Sequence, residues 1–152
     1  MSAPETTAEP LVREIDIEAA PETVFAFFIE PDKLTRWLAT TATLEPRPGG
    51  ACIQSHAGPD RGAGPYEMRG EFLEVEPPTR VVFSWGFTDP SVGVPPGSST
   101  VEVTLTSIGS GTRVHLVHHG LPAGETHNHA DGWTTMLDRL ATAIATSQQE
   151  ES

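Results

Sequence analysis

The chain has 152 residues, 37% of them hydrophobic, which is enough for one domain with an ordinary core. Nine Lys and Arg against 21 Asp and Glu give a formal charge of −12, so nucleic acid and anionic membrane surfaces are excluded as expected partners. One cysteine, Cys52, rules out an intrachain disulfide and fits a reducing cytoplasm, and no run approaches a transmembrane length.

Residues 1–10 (MSAPETTAEP) are small, polar and proline-punctuated and are expected to form a disordered tail without signal-peptide character. LVREIDIEA then alternates as a strand with one buried face. Ala20-Pro21 stops it, and Pro21 suits the first turn of a helix whose stripe is Val24, Phe25 and Phe28. Pro31 restarts a second short helix with Leu34, Trp37 and Leu38 inward, giving a V-shaped pair.

From Thr40 the period becomes two. Ala42 and Leu44 form one short strand, the turn at Pro46–Gly50 closes it, and Cys52 and Ile53 begin the next. Tyr66 to Glu76 is a longer strand whose parity slips: Tyr66, Met68 and Phe72 share one face, Leu73 and Val75 the other. A bulge near Phe72 accounts for the slip. Val81, Phe83, Trp85 and Phe87 share the inner face of the following strand. TDPSVGVPPGSS reads as a mobile, exposed loop. Val101, Val103 and Leu105 alternate with Glu102, Thr104 and Thr106, the pattern expected of an edge strand that could pair in a homodimer. The last strand places Val114, Leu116 and His118 inward.

Gly124 to Thr146 carries apolar residues on one helical stripe: Trp133, Met136, Leu137, Leu140 and Ile144. Such a helix is about 30 Å long and spans a small domain. Residues 147–152 are expected to be a second tail. Strands joined by short turns, two short helices after the first strand and one long terminal helix define an α+β class. An antiparallel sheet of six to seven strands must curl around that helix, within a single domain at residues 11–146. A gap left between sheet and helix is the natural place for a ligand.

PETVFAFFIEPDKLTRWL (Pro21–Leu38), GEFLEVEPPTRVVFSW (Gly70–Trp85) and the GTRVHLVHHGLP run on to Trp133 resemble the START-like (SRPBCC) helix-grip superfamily, and within it the branch named after the activator of the heat shock protein 90 ATPase. The resemblance covers roughly Leu11 to Ala145. It implies a curved sheet gripping a C-terminal helix around a hydrophobic cavity, and leaves activity open. In the eukaryotic activator this domain accompanies a second, larger one with no counterpart here, so chaperone activation is not the expected role.

His118 is the most suggestive single residue. An inward imidazole can orient a polar ligand or act as a general base; equally, it can be a hydrogen-bonded core histidine that holds the first turn of the terminal helix. His115 and His119 share the opposite face. His127 and His129, two apart on a helix, diverge by about 200° and cannot easily chelate together, so no metal or other cofactor is expected. No serine or cysteine sits in a nucleophile motif. The expected ligand-binding set is Trp37, Met68, Phe72, Phe83, Trp85, Val103, Leu116, His118, Trp133, Met136 and Leu137. Its ligand is an apolar or aromatic small molecule entering near Gly86–Ser99. The rival readings are a cyclase- or dehydratase-like enzyme with His118 as acid/base, and a co-chaperone-like module that binds a protein through its acidic sheet.

Overall fold

A computed structural model describes residues 10–56, 66–88, 94–121 and 126–151, with side chains of the last segment described over 132–148. Seven strands form one antiparallel sheet: β1 (Leu11–Ile17), β2 (Thr41–Leu44), β3 (Ala51–His56), β4 (Tyr66–Glu76), β5 (Arg80–Trp85), β6 (Ser99–Ile108) and β7 (Gly111–His119). Their spatial order is β1-β7-β6-β5-β4-β3-β2, so each strand from β2 to β6 lies beside its successor and β1 closes onto β7. The helices are α1 (Pro21–Ile29), α2 (Pro31–Leu34) and α3 (Thr126–Glu151). This is the expected α+β helix-grip architecture. Among the described residues no helix is long and apolar enough to cross a membrane.

Pro21 supplies the first turn of α1, and Glu30 ends it in an extended conformation (φ −103°, ψ 124°). The ring of Pro31 clashes with a helical conformation at the preceding residue, which is why one apolar stretch becomes two short helices. Val24, Phe25, Phe27 and Phe28 are buried on α1, and Leu34 on α2. The indole of Trp37 donates to the Phe27 carbonyl at 2.9 Å and so ties the end of the V back to α1.

In β4 the register with β5 runs Phe72↔Phe83 and then Glu74↔Val82, leaving Leu73 as the extra residue of a bulge. Phe72 is fully buried, Leu73 is exposed, and Val75 returns to the core opposite Val81. The bulge is therefore where the parity placed it, but Leu73 is expelled by it instead of joining Val75 inside.

Three further expectations change. β6 pairs with β7 along nearly its whole length and with β5 over Ser99–Thr104, so it is an interior strand and the Val101–Thr106 stretch is not a free edge for pairing across a dimer axis. The free sheet edges are β1 and β2. Within the supposedly exposed loop Val94 is buried, its carbonyl accepting from Phe87 N at 2.6 Å; residues 89–93 lie outside the described residues. Finally, α3 continues to Glu151, so residues 147–151 are helix and not tail. Gln and Glu propagate a helix well even without an apolar stripe to bury.

Candidate functional site: an aromatic cluster at one end of the sheet

In an antiparallel sheet the C-terminal ends of β3, β5 and β7 and the N-terminal ends of β4 and β6 fall at the same edge. The inner face of the sheet carries its aromatic residues toward that edge. Phe72 and Phe83 pair at 6.3 Å between ring centroids, and Phe83 leads to Trp85 at another 6.3 Å. Trp85 is the hub: Trp133 lies 5.3 Å away, His56 5.4 Å, Phe87 5.5 Å and His118 5.5 Å. Most of these contacts are edge-to-face, in which the positive rim of one ring meets the negative face of the next.

Helix α3 delivers Trp133 because Trp133, Leu137, Leu140 and Ile144 repeat at helical spacing and are all buried against the sheet. Leu116 and Val103, paired across β7 and β6, are completely covered and belong to the same core cluster as the buried stripe of α3. Met68 is equally buried on β4 and bridges to Phe87.

Two polar pairs flank Trp85. On one side, Trp133 Nε1–H donates to His118 Nδ1 at 2.9 Å, and His118 Nε2 meets Ser99 Oγ at 2.9 Å. Ser99 Oγ–H in turn donates to the Trp85 carbonyl at 2.9 Å. An indole nitrogen can only donate, so Nδ1 of His118 must present its lone pair. The Ser99 hydroxyl has one proton, already given to Trp85, so Nε2 of His118 must carry the imidazole hydrogen. The ring is thus a neutral Nε2–H tautomer, part of a relay with a fixed direction. On the other side, His56 Nε2–H donates to Gln54 Oε1 at 2.8 Å, and the Gln54 amide reaches Cys52 Sγ at 3.6 Å. Cys52, Gln54 and His56 alternate along β3 and make its inner face polar. Burial pushes the Cys52 thiol up to about 12, because a thiolate there would lose its hydration.

Of the expected ligand-binding residues, Met68, Phe72, Phe83, Trp85, Val103, Leu116, His118, Trp133 and Leu137 come together in the interior. Met136 is only half-buried, at the margin of the core. Trp37 is held by α1, with its ring edge-on to Phe28 at 5.1 Å. Where Trp85, His118 and Trp133 were expected to face one another across a gap, their rings are in contact. Two surface hollows occur elsewhere. One, of about 650 Å³, lies beside Arg36 and the outer face of α3; the other, of about 340 Å³, lies over Thr41, Thr43 and Ile53. Ser99, His56 and Gln54 were not anticipated. His56 and Gln54 share the strand parity of Cys52 and were legible from it. Ser99, beside a proline-rich loop, carried no such signal.

His115 and His119 each lie beside a single carboxylate on the outer face of the sheet. His115 Nδ1 lies 2.6 Å from Glu14 on the outer face, and His119 Nε2 3.3 Å from Glu102 without hydrogen-bond alignment. Among the described residues no cluster could hold a metal ion. The side chains of His127 and His129 lie outside the described residues. The outer face also carries the Asp16–Arg113 fork, in which the Arg113 hydrogen bond holds the Asp16 carboxyl below its usual range.

Residues 18–145 match the family model described as Activator of Hsp90 ATPase homolog 1-like protein. The chain belongs to this family. Solved structures with the same architecture include protein CV1439 from Chromobacterium violaceum, 25% identical, with a TM-score of 0.78 over 89% of this chain and 96% of that one. CalU16 from Micromonospora echinospora is 24% identical, with a TM-score of 0.69 over 89% of this chain and 73% of that one. DynU16, from the dynemicin biosynthetic locus, is 23% identical, with a TM-score of 0.74 over 92% of this chain. This chain spans about half of it (48%). Comparison with curated proteins gives no significant match. The Activator of Hsp90 ATPase homolog 1-like domain thus accounts for the helix-grip architecture, in which the aromatic cluster lies between sheet and terminal helix.

Proposed function

We propose that this protein binds an apolar or aromatic small molecule at the sheet edge where β3, β5 and β7 end, with Trp85 and Trp133 as its stacking surfaces. The observation that carries the reading is the flanking of Trp85 by two inward polar pairs, His118–Ser99 and His56–Gln54, within an otherwise apolar cluster. Flat apolar walls with a few convergent polar groups are the general make-up of small-molecule sites. The occurrence of one structural relative in the dynemicin biosynthetic locus supports a small-molecule context. Both ring nitrogens of His118 are taken up by protein partners, which favours binding over acid–base chemistry. Three acidic residues of the outer face, Glu14, Asp16 and Glu74, are engaged with His115, Arg113 and Arg80, which weakens the case for that face as a protein-docking surface.

Rings in contact must part to admit a guest, so binding entails movement of Trp133 away from Trp85. Native mass spectrometry on protein purified without denaturation, and titration with N-phenyl-1-naphthylamine followed by tryptophan emission, test this. The expected result is a saturable change at one molecule per chain. A linear, non-saturating response with no retained small molecule would remove the reading.

A further inference from the structure

The direction of the buried relay restricts what the cluster can accept, an inference that rests on the small-molecule reading above. We infer that the ligand is an aromatic molecule bearing a hydrogen-bond donor, a phenolic hydroxyl or ring N–H, which it presents to Nδ1 of His118 in place of the Trp133 indole.

The argument begins at the far end of the relay. The Trp85 carbonyl accepts from Ser99 Oγ–H, and Trp85 and Ser99 are register partners in β5 and β6, so neither backbone can turn away. With its proton committed, Ser99 Oγ accepts from His118 Nε2–H, and Nδ1 is the acceptor of the ring. His118 is only 1% exposed, so water does not satisfy Nδ1 from outside; the Trp133 indole does so at 2.9 Å. Trp133 is therefore a built-in example of what this position takes: a flat aromatic ring with one N–H donor. A guest that displaces it without offering a donor leaves a buried acceptor unpaired. A ketone or ether is worse, because it sets lone pair against lone pair. Inverting the tautomer does not rescue such a guest. It would require Ser99 to abandon Trp85 and donate to Nε2, leaving the Trp85 carbonyl without that partner.

The test compares 2-naphthol with 2-methoxynaphthalene, equal in ring system but differing in the donor, each titrated into the full chain by calorimetry. About tenfold tighter binding of 2-naphthol is expected, the effect of one neutral hydrogen bond. Equal affinity of the two overturns the donor requirement while the small-molecule reading stands. Binding of neither removes both. Trp133→Phe supplies the second arm, since it keeps a ring but takes away the internal competitor for Nδ1. Both ligands should bind more tightly to this variant, because neither has to break the Trp133 bond, while the 2-naphthol preference persists; unchanged affinities count against Trp133 as the group displaced. If Trp133→Phe does not fold, the ¹⁵N shifts of the His118 ring in the wild-type chain carry that arm. Nδ1 must stay unprotonated with 2-naphthol bound, and a protonated Nδ1 overturns the inference.

Discussion

The Trp133 indole and the His118 imidazole lie 2.9 Å apart, N–H to lone pair, and join the terminal helix to β7, the strand next to the β1 edge, by a directed bond. The residues are 15 apart in sequence, one on β7 and one in α3, and both are buried. The bond thus spans the β7–α3 connection, and Arg13 of β1 adds a second tie to the helix at Thr134.

His118→Ala should be strongly destabilising. It removes a packed ring and leaves both the Trp133 N–H and the Ser99 hydroxyl short of a partner. Together these should cost about 3 kcal/mol or more. For a chain of this size that lowers Tm by roughly 6–12 °C. Trp133→Phe keeps most of the ring and leaves only Nδ1 unpaired, so its cost should be about 1–2 kcal/mol. Thermal melts of the two variants check the order; a milder effect for His118→Ala would mean that the relay contributes little to stability.

Ser99→Ala isolates the far half of the relay. It removes the donor to the Trp85 carbonyl and the acceptor for Nε2–H together, in a site too buried for ready solvation. A loss of about 1–3 kcal/mol is expected by chemical denaturation. Because Trp133 is untouched, its indole N–H should remain slow to exchange. Fast exchange in Ser99→Ala would show that the histidine needs both partners to hold its tautomer.

Two glycines near the cluster should respond in opposite senses. At Gly86 an added Cβ would sit 2.0 Å from the Pro95 carbonyl oxygen, a backbone atom that cannot swing aside. Gly86→Ala should therefore push the 94–98 segment off the end of β5, loosen the Phe87–Val94 bond and cost about 3 kcal/mol. At Gly132, next to Trp133, an added Cβ would meet nothing within 4 Å. Inside α3 its main effect is the entropy it adds to the unfolded chain, so Gly132→Ala should stabilise by about 0.5–1 kcal/mol. Denaturant midpoints of the pair decide both points.

Strand parity carried much of this architecture. Val114, Leu116 and His118 point inward as their alternation requires, and the slip at Phe72 marks a real bulge. The position of β6 was not legible from its own residues. Glu102, Thr104 and Thr106 look like edge protection, but in a sheet covered on one side every strand has a polar outer face, central or not. Trp37 shows another limit. Its burial followed from spacing, but its partner, the Phe27 carbonyl, depends on how tightly the chain folds back at Pro31. The relay shows a third: a histidine's tautomer is set by partners from other strands, and Ser99 is distant in sequence from both His118 and Trp133.

The lone cysteine offers a pH-dependent check on the β3 face of the cluster. Cys52 is buried, and its thiol is pushed up to about 12 from the 9.0 of an unperturbed cysteine. Maleimide reacts with thiolate, so at pH 7.5 the folded protein should label only as fast as it opens, while denaturant exposes Cys52 to rapid modification. The same shift makes stability depend on pH with a definite sign. Below pH 9 the thiol is protonated in folded and unfolded chains alike, and its contribution is complete. Between about pH 9 and 12 the unfolded chain loses its proton and the folded one does not, so stability should fall by roughly 1.4 kcal/mol per pH unit. Other groups titrate in that range, so the measurement is the difference in slope between the wild type and Cys52→Ala. A wild-type slope no steeper than that of Cys52→Ala, or rapid labelling of the folded protein at neutral pH, would mean that the β3 face opens to solvent far more readily than its packing implies.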